Sequence, residues 1–378
     1  MRRRLSLLFV AFVLLFVVAA AGLAQSINPD ISVIPRFILQ TNDGEKLAEG
    51  LRQFSRPDFA FEELEIAMQA YVNPYAKADV ILTLPGPDVE AGKLGIEEVY
   101  ATILRGLPLD LNVRFGKYRV DYGKLNMMHP HAWPFVTQPL SQERFLGVGG
   151  LNDLGISASV LLPTGDVYSK LTVDLLRGLA IGEATGIADT TGASPFYATS
   201  ARLMGFFPLG DFSDLEVGFS GYTGIHDPYN RDRFWYGNLD FKYKYKPDAY
   251  TSLVVQGEFL YNTRMAAQDR DFNQFVDANG NPERRTINSS GLYVYCDYQF
   301  LKLYSAGARF DWTESPYSTA DKAQGVALFL GYYPVEETLA LRLQYQRTTT
   351  ETAGVSQSVN MIALEAFFSL GPHKAHPF

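Results

Sequence analysis

Residues 64–84 read LEIAMQAYVNPYAKADVILTL, and this stretch decides the fold. Apolar residues alternate with polar or small ones both before and after the interruption Asn73-Pro74-Tyr75. A period of two places successive side chains on opposite faces of a β-strand. A helix turns by about 100° per residue and would spread the same apolar set around its circumference. The stretch therefore predicts two β-strands joined by a tight turn.

The same alternation returns along most of the chain and predicts sixteen strands, although fourteen also fit the pattern. The first is the weakest prediction, because Pro35 cannot donate a hydrogen bond to a neighbouring strand. The predicted strands lie near 31–40, 61–73, 77–85, 95–105, 110–119, 153–162, 167–177, 197–207, 214–224, 234–246, 249–263, 288–300, 302–312, 323–333, 337–348 and 358–371.

The connections between these strands alternate in length. Short turns rich in Pro, Gly and Asp follow the even-numbered strands, for example at 73–75, 163–166 and 246–248. The connections after the odd-numbered strands are mostly longer and more polar, as at 41–60, 121–152, 178–196, 264–286 and 349–357. Outer-membrane barrels combine short periplasmic turns with long outer loops. The sequence therefore predicts an all-β protein, a transmembrane antiparallel β-barrel of about sixteen strands.

The N-terminus predicts export. Three arginines precede an almost wholly apolar run from Leu5 to Val18, and small residues lead to Ala24. We expect residues 1–24 to be a signal peptide cleaved near Ala24, and 25–378 to be a single barrel domain in a Gram-negative outer membrane. An uncleaved membrane anchor is the alternative. The formal charge of −8 argues against a nucleic-acid partner, and the lone Cys296 cannot form an internal disulfide.

Aromatic residues and the C-terminus agree with a barrel. The chain has 22 Tyr and 26 Phe, and many of them fall near predicted strand ends, where outer-membrane barrels carry aromatic girdles. We expect one girdle beside the short turns, including Tyr71, Tyr245 and Tyr304, and a second near the long loops, including Tyr118, Tyr222 and Trp235. The last strand and the terminal Phe378 resemble the signal read by the barrel assembly machinery, which is therefore an expected partner together with outer-membrane lipid.

Three segments carry a family resemblance: GKLNMMHPHAWPFV at 123–136, FLGVGGLNDLGISASVLLP at 145–163 and FFSLGPHKAHPF at 367–378. They resemble a group of porin-superfamily barrels often labelled TonB-dependent or zinc-regulated outer-membrane receptors. The resemblance implies the barrel fold and the outer-membrane location, and little about cargo. The receptor label itself does not suit the sequence, because the first predicted strand begins shortly after Gln25 and we expect no plug domain.

HPHAWPF, residues 129–135, lies in the longest predicted outer loop, 121–152. We interpret 121–152 as a candidate constriction loop that folds into the lumen. The four candidate residues His129, His131, Trp133 and Phe135 have three readings: packing of the loop, a pore-lining or substrate role, and a metal site. Two histidines alone supply too few ligands for a metal, so we expect none and favour packing.

Strand parity directs charged side chains of both signs into the predicted lumen. The pore candidates outside the loop are Arg114, Asp240, Lys242, Lys244, Arg309 and Arg342. Parity adds Glu63, Glu65, Asp79, Glu98, Arg202, Glu258, Asp311 and Glu365. Such a lining is typical of a passive diffusion channel. It also fits a lumen filled by salt bridges that conducts poorly.

The predicted function is a porin-like outer-membrane channel for small hydrophilic solutes or ions. A non-transport barrel in adhesion or envelope structure is the alternative, and a barrel hydrolase is a third reading. We find neither a GxSxG elbow nor a phosphate loop, so we expect no enzyme activity, no catalytic residues and no cofactor. The oligomeric state stays open, a homo-oligomer included.

Overall fold

The structure is a computed structural model that describes residues 29–44, 57–86, 94–178, 198–227, 232–266, 274–335, 338–352 and 354–371. The predicted signal peptide and the terminal Phe378 lie outside these residues. The sixteen strands are β1 Asp30–Asn42, β2 Asp58–Asn73, β3 Ala76–Pro85, β4 Gly95–Ile103, β5 Asn112–Arg119, β6 Asn152–Leu162, β7 Tyr168–Leu176, β8 Ala198–Pro208, β9 Ser213–Asp227, β10 Asp232–Tyr245, β11 Ser252–Ala266, β12 Arg285–Phe300, β13 Tyr304–Ser315, β14 Ser318–Val335, β15 Leu339–Thr352 and β16 Val355–Phe368.

The strands form a closed barrel in which each pairs antiparallel with its neighbours in sequence and β1 pairs with β16. The predicted fold and the strand number sixteen are confirmed. Pro35 lies inside β1 at a point where the ladder to β16 is interrupted. That ladder covers Arg36–Asn42, and a single further bridge joins Val33 to Leu370. Pro35 has no backbone N–H, and it lies at a position that has no partner in the ladder to β16.

The alternation of short and long connections is confirmed in most places. Two-residue and three-residue turns lie at 74–75 and 301–303, whereas 120–151 and 177–197 are long connections. The prediction of a long connection at 349–357 was wrong, because β15 and β16 are joined by residues 353–354 alone. The apolar pattern fades there, but the ladder continues as polar pairs such as Thr349 with Ser358.

The two faces of the wall differ as the alternation predicts. Leu239, Phe219 and Phe259 occupy neighbouring positions on three adjacent strands and are exposed on the outer face. Asp240, next to Leu239, is completely buried. Among the described residues, the helices are all too short or too polar to cross a membrane.

Aromatic residues form an outward row at the short-turn end, where the rings of Tyr298, Phe300, Tyr304 and Tyr332 stack in succession. Trp235 and Tyr261 are exposed at the other end, and their rings lie 6.1 Å apart. The girdle prediction was wrong for Tyr118 and Tyr222, which are fully buried inside the barrel.

Candidate functional site

The connection between β5 and β6, residues 120–151, forms the inward loop. It contains two short 3₁₀ turns, Leu125–Met127 and Pro130–Ala132, and one α-helix, α1, at Leu140–Leu146. Its side chains and backbone contact β2, β4, β9, β11, β13 and β15. Because these strands lie all around a closed barrel, only a segment inside the lumen can reach them all. The loop therefore crosses the interior.

Hydrogen bonds among Val120, Asn126 and Leu151 hold the two ends of the inward loop together. We call these bonds the clasp and the two ends, Val120 and Leu151, the neck of the loop. The backbone N–H of Val120 donates to the carbonyl of Leu151 at 2.9 Å. The side-chain amide of Asn126 donates to the carbonyls of Val120 and Leu151 at 2.8 and 2.9 Å, and its oxygen accepts from the N–H of Leu151 at 2.7 Å. Asn126 thus satisfies three backbone groups of the neck with one buried side chain.

Glu258 on β11 anchors the loop to the wall at two points. Its carboxylate accepts the N–H groups of Lys124 and Leu125 at 3.1 and 2.7 Å, and the amide of Gln142 at 2.9 Å. The side chains of Asn238 and Tyr293 also donate to it, each at 2.7 Å. Several donors to one buried carboxylate make a well-satisfied site, since charge-assisted hydrogen bonds are the strong ones.

The aromatic residues of HPHAWPF pack against the wall. Phe135 meets the rings of Tyr295 and Phe329 edge-on at 5.3 and 5.9 Å, and Arg309 lies over its face at 4.3 Å. Trp133 belongs to the same buried cluster, and its indole donates to the carbonyl of Met128 at 3.2 Å. Offset and edge-on contacts of this kind add to the gain from burial.

Beyond Phe135 the loop is hydrogen-bonded to β13 and β15. The N–H of Val136 donates to the side chain of Gln344 at 2.7 Å. Arg309 donates to the carbonyl of Thr137 at 2.5 Å and pairs with Asp311 at 2.8 Å. The predicted pore residue Arg309 therefore holds the loop as well as facing the lumen.

Arg342 and His131 meet on the same side of the barrel. Arg342 donates to the backbone carbonyl of His131 at 2.7 Å and pairs with Glu365 at 2.8 Å. Arg36 on β1 pairs with the other oxygen of Glu365 at 2.8 Å. One carboxylate thus joins two arginines from strands on either side of it.

His129 lies among carboxylates from β2 and β4. Its Nδ1 is 3.1 Å from Oε2 of Glu65 and 3.6 Å from Oε1 of Glu97, and its Nε2 is 2.9 Å from Oε1 of Glu98. Burial alone lowers the pKa of His129, but the charges of Glu65 and Glu97 outweigh it and raise the pKa to about 10. The imidazole ring of His129 is therefore protonated at neutral pH.

A β-bulge explains how two consecutive glutamates reach this histidine. Ile81 of β3 pairs with Glu98, but the next residue, Leu82, pairs with Ile96, so Glu97 has no partner in the ladder. A bulge of this kind re-aims a side chain that strict alternation would send outward. Glu97 and Glu98 are consequently both turned toward the loop.

The remaining predicted pore residues lie elsewhere on the wall. The guanidinium of Arg114 lies over the rings of Tyr100 and Tyr118, 4.9 and 5.2 Å from their centroids. Asp240 is paired with Arg202 and is buried. Lys242 and Lys244 are half-buried toward the short-turn end of β10.

Comparison with known proteins places this architecture among solved barrels. The chain is similar to an anion-selective porin from Comamonas acidovorans, with a TM-score of 0.60 and 10% identity over 91% of this chain and 100% of that one. The fold is that of the outer-membrane porins. The outer-membrane channel DcaP of Acinetobacter baumannii is similar at a TM-score of 0.59 and 13% identity, over 92% of this chain and 99% of that one.

A loop-deletion mutant of OmpT, an outer membrane protein of Vibrio cholerae, is also similar in structure, with a TM-score of 0.56 and 10% identity over 92% of this chain and 100% of that one. In sequence, the chain is 27% identical over 347 residues to an "Uncharacterized protein" of Aquifex aeolicus (strain VF5), which covers 85% of this chain and 70% of the relative. No family model matches. These comparisons do not show that the chain is a TonB-dependent or zinc-regulated receptor.

The structure therefore brings His129, His131, Trp133, Phe135, Arg309 and Arg342 together around the inward loop. Arg114, Lys242 and Lys244 lie apart from HPHAWPF. Sequence reasoning missed Glu97 because alternation cannot reveal a bulge. It also missed Asn126, which has no distinguishing neighbours in the sequence although it closes the loop's neck.

Proposed function

We propose that the protein is a porin-like outer-membrane channel for the passive diffusion of small hydrophilic solutes or ions, narrowed by the inward loop. A single observation carries the proposal: a closed sixteen-strand barrel with an apolar outer face has a charged interior that the inward loop crosses. A barrel of sixteen strands has a lumen wide enough for water, whereas side chains fill the lumen of an eight-stranded barrel. The inward loop then determines how wide the remaining passage is.

The interior charges support a hydrophilic path. Arg309, Arg342 and Asp311 face inward from β13 and β15, and Lys242 and Lys244 from β10. Charges of both signs along a lumen orient the dipoles of passing solutes and disfavour apolar ones. We propose the residues around HPHAWPF as the constriction and the lysines of β10 as part of its approach.

The proposal extends to location and partners. It places the mature chain from about Gln25 in the outer membrane, in contact with lipid through its apolar belt, after assembly through the C-terminal strand. It assigns no catalytic role to His129, because both ring nitrogens face carboxylates and not a nucleophile.

A barrel without transport is the second candidate, and one observation favours it. Within the inward loop only Val148 and Gly149 are exposed, so the loop fills its part of the lumen like a protein core. A barrel closed in this way would serve envelope structure or adhesion.

Solute entry distinguishes the two candidates. The purified, folded barrel is reconstituted into liposomes, and swelling is followed in sugars of increasing size, with protein-free liposomes as the control. The channel proposal expects swelling that falls off steeply with solute size. Liposomes that swell no faster than the control for the smallest sugar would refute it in favour of the closed barrel.

A further inference from the structure

We propose that Glu65, Glu97 and His129 form a binding site for a divalent transition-metal ion of the zinc class, between the inward loop and the wall. One ligand atom from each of the three side chains lies within 4.8 Å of the other two. Two carboxylates with one imidazole are a ligand set that zinc and its neighbours accept.

The spacing of these atoms suits metal coordination. Two ligands at about 2.1 Å from a tetrahedral ion lie about 3.4 Å from each other. The Nδ1 atom of His129 is 3.1 Å from Oε2 of Glu65 and 3.6 Å from Oε1 of Glu97, which are distances on either side of that value. The distances from the histidine to both carboxylates are therefore compatible with coordination of one ion.

Two of the ligand atoms are buried and face each other. Nδ1 of His129 lies 3.1 Å from Oε2 of Glu65, and the same oxygen is 3.4 Å from Nδ1 of His131. Glu65 is 4% exposed. A buried carboxylate needs a positive partner, and a metal ion held between Glu65 and His129 would supply one.

The surrounding residues provide the outer shell that metal-binding histidines require. The Nε2 atom of His129 lies 2.9 Å from Oε1 of Glu98, so this carboxylate can take the ring's N–H and leave Nδ1 for the metal. A carboxylate–histidine–metal arrangement fixes the tautomer and the orientation of the ring. Arg119 fixes the carboxylate of Glu97 by donating to its Oε1 atom from Nε at 3.0 Å.

Negative charge is concentrated around His129. Glu65, Glu97 and Glu98 converge on its ring, Arg119 pairs with Glu97, and Nδ1 of His131 lies 3.4 Å from Oε2 of Glu65. Three carboxylates at one place attract a divalent cation.

Metal content tests the proposal directly, with no use of conductance. The folded full-length barrel in detergent is stripped with a chelator, desalted and dialysed against Zn²⁺, and bound metal is measured by atomic emission. We expect one Zn²⁺ per chain. With Co²⁺ as the probe, we expect a visible spectrum typical of a tetrahedral or five-coordinate site with a nitrogen ligand.

Variants assign the site. His129→Ala and Glu97→Gln should each weaken Zn²⁺ binding by at least about tenfold, whereas Glu283→Gln, in an exposed outer loop, should bind as the parent does. Glu97→Gln keeps the shape of the side chain and serves if His129→Ala does not fold. Glu98→Gln, which removes the positioning carboxylate, should weaken binding by about tenfold and alter the Co²⁺ spectrum.

Two results would overturn the proposal. The first is a heat-modifiable, folded barrel that retains no Zn²⁺ above the detergent blank. The second is a His129→Ala barrel that binds Zn²⁺ as tightly as the parent, which would leave only adventitious surface binding. Either result leaves the channel proposal untouched, because solute entry is measured separately.

Discussion

Neighbouring residues on a strand of this barrel face opposite sides of the wall. Leu239 faces outward and Asp240 inward, one position apart on β10. Alternation predicts this difference from sequence wherever the ladder is regular. At Glu97 the ladder is irregular, and the prediction from alternation fails in the place where the loop meets the wall.

Leu239→Arg tests the lipid face. Leu239 is 43% exposed near the middle of β10, beside Phe219 and Phe259. An arginine near the membrane midplane on this face should destabilise the inserted barrel by about 2–4 kcal/mol. Folding into lipid vesicles, followed by heat-modifiable migration in a urea series, measures this loss.

Lys242→Arg is the matched control, because it places the same side chain on the inner face of the same strand. It should fold as the parent does. Equal loss in Leu239→Arg and Lys242→Arg would mean that the two faces are assigned the wrong way round.

Asn126→Ala tests the clasp at the loop's neck. The change removes three hydrogen bonds. The carbonyls of Val120 and Leu151 keep one backbone donor each, whereas the N–H of Leu151 loses its acceptor, at a cost of about 1–3 kcal/mol. We expect the loop to leave the lumen more often. Trypsin should then cut after Lys124 or Arg144, both of which lie within the loop.

Asn279→Ala, in an exposed turn, should keep the parent's cleavage pattern. Identical protection of the loop in Asn126→Ala and the parent would show that the clasp does not hold it in place.

At the scale of elements, the inward loop depends on the backbone geometry at its start. Gly123 has a φ of +65°, which turns the chain so that the N–H groups of Lys124 and Leu125 reach Glu258. Glycine adopts this left-handed conformation without strain. A Cβ at this position would lie 2.1 Å from Oε2 of Glu258.

Gly123→Ala should therefore detach the start of the loop from β11. Any L-residue with left-handed backbone costs about 1–2 kcal/mol, and here the carboxylate must move as well. We expect faster hydrogen exchange at the amides of Lys124 and Leu125, measured by mass spectrometry on the folded barrel.

Gly165→Ala separates the two effects. Gly165 has a φ of +70° in a short turn, with no atom within 4 Å of where its Cβ would lie. It should carry the backbone cost alone and leave exchange in the inward loop unchanged. If both alanine variants protect Lys124 and Leu125 equally, Glu258 does not anchor the loop.

The positions of the strands and of the inward loop could largely be predicted from the sequence. The pattern at 64–84 predicts β2 and β3, and the lengths of the connections predict where the inward loop begins and ends within one residue. Tyr118 was assigned to an outer girdle from its position along β5, but it shares the inward parity of Arg114 and is buried. Contacts such as Leu125 with Glu258 join residues 133 positions apart, and no local pattern encodes such a pairing.

At the scale of the whole molecule, the strand ladder of the wall is complete without the inward loop. The ladder closes through β1 and β16 without using residues 120–151. Long outer loops contribute few ladder hydrogen bonds and tolerate change better than strands. Replacing residues 127–140 by a short Gly-Ser link should therefore keep the barrel while it removes His129, Trp133 and Phe135 from the lumen.

Single-channel conductance in planar bilayers, compared between the parent and the variant with 127–140 replaced, tests most directly whether the inward loop sets the passage. Resistance concentrates where a pore is narrowest, so we predict that the variant conducts several times more than the parent and admits larger solutes. Heat-modifiable migration confirms beforehand that both barrels are folded. Equal conductance of the two proteins, or no conductance from either, would contradict the account.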